Sequence, residues 1–421
     1  MVALGLLAGG LTACGGDGGA PTLRWYINPD NGGQNTLAAA CTQASGGRYR
    51  IETSLLPDDA TQQREQLIRR LAAKDSGLDI MSLDPPFLAE AANAGFLRPF
   101  SAAEATQFTQ GVFPPAVQNS TWDGRLYAAP FWANTQLLWY RKSAVQKTGV
   151  DPNAPDFTWD KMIDTAVRNG ITVGAQGNRY EGYTVWINAL VASAGGQIVG
   201  NTQAGSDASI DIDSPAGRRA AAIIAKLARS SAASPTLSTD IEEQARSLFN
   251  GPRGGFMVNW GYIWRAENAD AKDGVIDKNI PADLAWARYP RVAAGQDSKP
   301  PFGGIVLGIG AYGEYKDTHA VEAVRCITST ANMKRYMLDS GNPAARAEIF
   351  DDPDVVREFP MAPLIRDSIN AAAPRPITPY YGDVSGALQS RWHPPASVNP
   401  IVTPRRSDDF IGQVLRDEAL L

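Results

Sequence analysis

From residue 23 onwards the hydrophobic pattern switches between two periods, and this switching restricts the fold more than any other feature of the chain. Leu23-Arg-Trp-Tyr-Ile27 reads as a strand, Asn28-Pro-Asp-Asn-Gly-Gly33 as a loop, and the residues through Cys41 as a helix. Tyr49, Ile51, Thr53 and Leu55 alternate in strand fashion. Asp58 to Lys74 is amphipathic, with Leu67, Ile68 and Leu71 on its inner face. Leu78-Asp-Ile-Met-Ser-Leu83 is a short buried-strand pattern, halted by Asp84-Pro85-Pro86. Strand, helix, strand, helix, strand requires parallel pairing with right-handed crossovers, so the fold class is α/β. Further along, Ser214-Pro215 supplies an N-cap and first-turn proline for a helix through Ala228. Phe256–Trp260 and Gly304–Ile309 are further strand candidates.

Composition narrows the function. With 39 Lys+Arg against 44 Asp+Glu, the chain carries a net charge of −5, which argues against a phosphate-tracking nucleic-acid binder. Two histidines, His319 and His393, exclude a His-rich metal site, and nothing points to a cofactor. Ten Trp, 13 Tyr and 13 Phe provide faces for a core or for a ligand with apolar faces. Gly308-Ile-Gly-Ala-Tyr-Gly313 satisfies a dinucleotide pattern, but the stretch from Met333 reads as helix where that motif needs a strand-end acid. Phosphate-loop, G-x-S-x-G and H-E-x-x-H patterns are absent. The length allows two or three lobes.

At the N-terminus, the apolar residues 2–10 are too few for a bilayer span of roughly 20 residues. They fit the core of a secretory signal, although no Lys or Arg precedes them. Leu11-Thr-Ala-Cys14 resembles the bacterial lipobox, which implies lipidation of Cys14 and anchoring at the outer face of the cytoplasmic membrane. Gly15-Gly-Asp-Gly-Gly-Ala-Pro21 then serves as a flexible tether. Cys41 and Cys326 remain as an even pair in an oxidising compartment, either joined as a disulfide or buried as free thiols.

Three segments resemble the extracellular solute-binding proteins of sugar ABC importers. Gly77-Leu-Asp-Ile-Met-Ser-Leu-Asp84 is similar to that family's strand ending in an acidic ligand residue. The run from Gly124 to Arg141 is similar to its first inter-lobe crossover, and Pro301–Gly310 to its second. Asn134-Thr-Gln-Leu-Leu-Trp-Tyr-Arg141, Val258-Asn-Trp260, Arg375-Pro-Ile-Thr-Pro-Tyr380 and both cysteine contexts are similar to the trehalose-binding lipoproteins of actinobacteria. The resemblance implies a two-lobed periplasmic-binding-protein fold of the maltose-binding type with three crossings. Residues 1–20 would be signal and tether, 21–128 plus 307–345 lobe one, and 129–306 plus 346–421 lobe two. It also implies a monomer that binds a disaccharide, trehalose or another α-glucoside, and meets ABC permease subunits. A Cys41–Cys326 bridge would then lie within lobe one.

The candidate site follows from residue chemistry and from the resemblance together. Asp84 stands at the carboxyl end of a strand, where open α/β sheets bind ligands, and a carboxylate makes charge-assisted bonds to sugar hydroxyls. Asn134 offers a donor and an acceptor without the cost of burying a charge. Glu242 lies 18 residues before Trp260, the spacing of the related lipoproteins, and is preferred to Glu243 for that reason. Trp260 offers an indole face to a pyranose, and Tyr262 would share its side if the strand continued. Arg375, between Pro374 and Pro376, presents fixed donors. Gln63 faces the same cleft by the family's arrangement, and Asn31 sits in the first strand-end loop. Gly304, beside Gly303, either brings backbone close to ligand or serves as hinge. The rival reading is a secreted glycoside hydrolase using Asp84 and Glu242, which needs two carboxylates roughly 5 or 6.5–9.5 Å apart.

Overall fold

A computed structural model of the chain describes residues 19–30 and 32–421. The expected lipidation site Cys14 and the expected ligand residue Asn31 lie outside the described residues. The alternating N-terminal pattern becomes β1 (Thr22–Ile27), α1 (Gly33–Ala44), β2 (Arg50–Leu55), α2 (Ala60–Ala72) and β3 (Ile80–Leu83). Strand β1 pairs in parallel with β2 on one side and β3 on the other, as two right-handed crossovers require. Helix α2 starts where the Asp59 carboxylate accepts the Gln62 N–H at 2.9 Å, and its last turn carries Arg69 and Arg70 against the negative end of the dipole.

Five more strands complete an eight-stranded sheet. They are β4 (Ala128–Arg141), β5 (Thr172–Gly174), β6 (Gly254–Trp260), β7 (Leu284–Ala287) and β8 (Phe302–Ile309). The order is β2-β1-β3-β8-β4-β6-β5, with β7 also alongside β4. Strand β4 is 14 residues long and buried over its first twelve positions, well beyond the common strand length of about 5–6. Its first half, Ala128–Thr135, pairs with β8, and Gln136–Tyr140 pairs with β6. One strand therefore belongs to both halves of the molecule. A strand covered on both faces has no polar side to alternate, which is why Ala128-Ala-Pro-Phe-Trp-Ala reads as a continuous apolar run.

The helices divide in the same way. Helices α3 (Glu181–Ser193) and α4 (Pro215–Ala228) cover the second half, whose core includes Trp159, Trp186, Ile223 and Leu388. The Ser214 hydroxyl accepts the Gly217 N–H at 3.2 Å and opens α4. Helices α5 (Glu242–Asn250) and α6 (Ile263–Lys272) flank the end of β6. The chain returns to the first half in α7 (His319–Ile327) and α8 (Thr330–Ser340), packed with Leu23, Trp25 and Ile80.

Residues 346–371, expected in the second lobe, pack into a cluster that draws on both halves, with Trp25 and Phe113 of the first and Phe249, Met257 and Leu284 of the second. Phe350 meets Phe113 edge to face at 5.5 Å, and Ile365 and Ile369 of α9 (Ala362–Ala371) join the cluster containing Trp25 and Phe131. An amphipathic helix declares which face is buried but not against which core, so periodicity had no means of placing this segment. Beyond Ala372 the chain continues into α10 (Tyr381–Trp392), whose Val384, Leu388 and Trp392 belong to the second core. The strand expected to carry Tyr262 stops at Trp260; Gly261 turns the chain, and Tyr262 flanks the start of α6.

Cys41 on α1 and Cys326 on α7 form a disulfide with their Cα atoms 5.8 Å apart. The bond ties sites separated by 285 residues, so it restricts the unfolded chain over most of its length. Replacing Cys326 by Ser should lower unfolding stability by about 2–5 kcal/mol. Urea titration of the parent and C326S checks this, and equal midpoints would contradict it.

Candidate ligand-binding cleft

The carboxyl end of β3, the middle of β4, the end of β6 and the start of β8 meet around one cleft of about 700 Å³. Its position outside strand ends is where ligands enter open α/β sheets. Asp84, Asn134, Glu242, Trp260, Arg375, Gln63, Gly304 and Tyr262 all line this cleft. Eight of the residues singled out from sequence are thus brought to one place.

Their partners differ from the expectation in one main respect. Arg375 was expected to present fixed donors to a sugar; its guanidinium is fixed by carboxylates of the protein. Its Nη2 donates to Asp84 Oδ1 at 2.7 Å and its Nη1 to Asp84 Oδ2 at 3.1 Å. The same Nη1 donates to Glu181 Oε1 at 2.7 Å. Glu181 was missed in the sequence; it opens α3, is only 4% exposed, and also accepts from Tyr381 OH and from Ser385 Oγ at 2.6 Å. Burial raises the Glu181 carboxyl above its usual range, with Arg375 pulling the other way. Burial likewise opposes the Arg375 charge, but Asp84, Tyr381 and Glu181 outweigh it and hold the guanidinium well above its ordinary value. Of the three guanidinium nitrogens, Nε has no hydrogen-bond partner among the described residues.

The opposite wall is built from β6, α5 and the turn before α6. Glu242 Oε2 accepts from Tyr180 OH at 2.8 Å and its Oε1 from Trp260 Nε1 at 3.2 Å. Burial, then the Glu242 charge, push the Tyr180 phenol well above its usual value, so it stays a neutral donor. Tyr262 OH donates to Glu243 Oε1 at 2.6 Å. Glu243, passed over in favour of Glu242, therefore shares the cleft with it. Asn134 uses its Oδ1 for the Thr135 N–H at 2.9 Å, and Gln63 donates to the Pro57 carbonyl at 2.7 Å.

The glycine pair answers to sterics. Gly304 has φ of +120°, and a Cβ there would sit 2.2 Å from the Trp132 carbonyl oxygen. A Cβ on Gly303 would meet the Trp260 ring at 2.9 Å. The pair lets β8 lie flat against β4 and under the indole.

Several lining residues carried no sequence signal of their own: Asn28, Asp30, Trp132, Tyr180 and Asn342. Trp132 stacks on Tyr336 at 5.0 Å, and Tyr336 OH donates to Asp30 Oδ2 at 3.2 Å. Asn28 Oδ1 is buried and has no partner among the described residues. In total the lining holds eight carboxylates (Asp30, Asp58, Asp59, Asp84, Glu181, Glu242, Glu243, Asp270) against three arginines (Arg246, Arg265, Arg375). Each arginine is already paired: Arg246 with Glu243, Glu267 and Asp270, Arg265 with Glu358, Arg375 with Asp84 and Glu181. The cleft is polar, acidic and furnished with indole faces.

Comparison with known proteins agrees with this geometry. Residues 47–334 match the profile of the family described as bacterial extracellular solute-binding protein. A probable ABC transporter-binding protein of Deinococcus radiodurans is 29% identical over 343 residues, 76% of each chain. The sn-glycerol-3-phosphate-binding periplasmic protein UgpB of Yersinia pestis is 33% identical over 119 residues, 26% of each chain. Maltose-bound MalE3 of T. maritima superposes with a TM-score of 0.81 at 24% identity, covering 95% of this chain and all 100% of that one. A solute-binding protein of Thermotoga lettingae with bound α-D-tagatose gives 0.79 at 20% identity, over 94% and 100% of the two chains. The fold is the two-lobed, maltose-binding-protein-like α/β architecture.

Removing the guanidinium would leave the buried Glu181 and the partly buried Asp84 without their counter-charge. Arg375→Ala should therefore cost about 3–5 kcal/mol of stability. Denaturant unfolding reads this directly; an arginine on the surface of a loop would leave the midpoint unmoved.

Proposed function

Because the chain belongs to the bacterial extracellular solute-binding protein family, we propose that it captures a neutral sugar in its cleft and delivers it to the permease of an ABC importer. The observation that carries the sugar reading is the state of the cations. All three lining arginines are bound by carboxylates, so no free positive charge awaits a phosphate ester of the kind UgpB is named for. Hydroxyl groups suit the cleft better: its carboxylates accept, while the Asn134 amide donates. Trp260 and Trp132 add faces for the C–H side of a pyranose. A volume of about 700 Å³ lies in the common range for small-molecule sites.

Within sugars, a disaccharide is the ligand class we favour, with trehalose first. The support is the similarity of Asn134–Arg141, Val258–Trp260 and Arg375–Tyr380 to trehalose-binding lipoproteins. Capture works by hinge closure: a ligand touching both lobes binds the closed form better and shifts the population towards it. Lipidated Cys14 would hold the protein at the outer face of the membrane. A hydrolase built on Asp84 and Glu242 gains no support, since both Asp84 oxygens accept from Arg375.

Titration calorimetry with trehalose, maltose and sn-glycerol-3-phosphate tests the reading. Saturable binding of a disaccharide is expected, with no heat from the phosphate ester and no glucose released. Asn134→Ala and Glu242→Gln should each weaken binding by roughly 1–3 kcal/mol, because hydroxyls lose partners in a dry cleft. Binding of the phosphate ester alone would overturn the reading. Cys14→Ala should move the protein from the membrane to the soluble fraction, and unchanged retention would reject the anchor.

A further inference from the structure

The ion pair between Asp84 and Arg375 joins opposite walls of the cleft. Asp84 follows β3 in the first half. Arg375 belongs to the second, where Asn188 Nδ2 of α3 donates to the neighbouring Pro374 carbonyl at 3.0 Å. The two bonds to Arg375 thus differ in kind. The pair with Glu181 lies within one half, and Glu181 is itself fixed by Tyr381 and Ser385 of α10. The pair with Asp84 crosses between halves, and it is not alone there. Phe87, three residues beyond Asp84, meets Tyr381 edge to face at 5.3 Å. Both crossing contacts are made by protein groups and need no ligand atom.

We propose that Glu181 is a positioning residue for closure: it holds Arg375 on the second lobe in open and closed forms alike, so that Arg375 meets Asp84 only as the lobes shut. The crossing pair then biases the hinge towards the closed form before any sugar arrives. Arg375 is 5% exposed with Asp84 in place, and its bond to Glu181 is made without Asp84, so part of the guanidinium is paired before closure adds the Asp84 fork. On closure the Asp84 carboxylate gains a two-bonded, charge-assisted fork of fixed geometry. Without Glu181 the guanidinium would lose its counter-charge in the open form and turn towards water, and the fork would have to be reassembled at every closure. The idea rests on the hinge-closing reading of the cleft, but not on the identity of the ligand.

Small-angle X-ray scattering of the protein without sugar provides the test, giving the closed-to-open ratio from the radius of gyration. Asp84→Asn and Glu181→Gln should each lower that ratio roughly tenfold or more, the effect expected for losing charge-assisted bonds. Phe87→Ala, at a residue that does not itself line the cleft, should lower it in the same direction. In the Asp84→Asn background, adding Glu181→Gln should change the ratio no further, because the positioned group has lost its target. A purely structural Glu181 would instead add its full effect. Scattering of D84N and E181Q identical to the parent would overturn the proposal, as would an additive double variant. If E181Q fails to fold, D84N and F87A decide by the same ratio. Failure of all tested sugars to bind would sink the proposed ligand and leave this measurement standing.

Discussion

The pairing of β4 with two different partners is the constraint on which the rest depends. Its first half is hydrogen-bonded to β8 and its second to β6, so a single backbone runs through both halves of the sheet. Any relative motion of the halves must be absorbed where the partner changes, around Thr135 and Gln136. Asn134 stands at that point, paired with Gly303. Gln136 Nε2 reaches Gln176 at 3.1 Å, and Gln176 Nε2 reaches the Val258 carbonyl at 2.9 Å, so side-chain amides extend the ladder across the switch. On the proposed function, recognition and bending would therefore share the same few residues. Gly304 fits this reading: its φ of +120° and its closeness to the Trp132 carbonyl admit no side chain at the place where β8 must follow β4.

Charge determines what such a cleft can hold. Carboxylates outnumber guanidinium groups, and the arginines serve as internal counter-ions. Arg246 illustrates the scheme: it is surrounded by Glu243, Asp270 and the wholly buried Glu267, and those charges raise its pKa against the opposing effect of burial. A site of this kind offers many acceptors whose orientation is fixed by neighbours and whose negative charge is partly compensated. Neutral hydroxyls can donate to those acceptors at little electrostatic cost, whereas an incoming anion would meet uncompensated carboxylates.

Much of this was legible in the sequence, and the exceptions have physical causes. The β1-α1-β2-α2-β3 alternation declared parallel pairing because the switch between periods is local information. Asp84 was legible because a strand end followed by two prolines stops the chain at the sheet's ligand edge. Glu181 was not, since its meaning depends on Arg375, 194 residues away, and a glutamate opening a helix looks like an ordinary dipole partner. Arg375 was found, but not its partners: its prolines speak for its backbone, not for the carboxylates that engage its fork. Tyr262 reached the cleft by another route than strand alternation, through the turn at Gly261. Residues 346–371 show the limit of amphipathicity, which names a buried face without naming the core that buries it.

The proposals give Asp84 two tasks, closing the cleft and binding ligand, and its hydrogen-bonding capacity allows both. An ionised Asp84 has about four lone-pair sites, and Arg375 occupies one on each oxygen. The remaining sites, on a side chain that stays 16% exposed, face the cleft. Ligand hydroxyls can therefore add to the crossing pair without displacing it. Since a ligand shifts an equilibrium only by its differential affinity for the two forms, contacts that exist solely when Asp84 and Arg375 are together are the ones that couple binding to closure. An acid at the end of β3 and an arginine held by a buried glutamate on the other wall make such contacts available from both sides of the cleft at once.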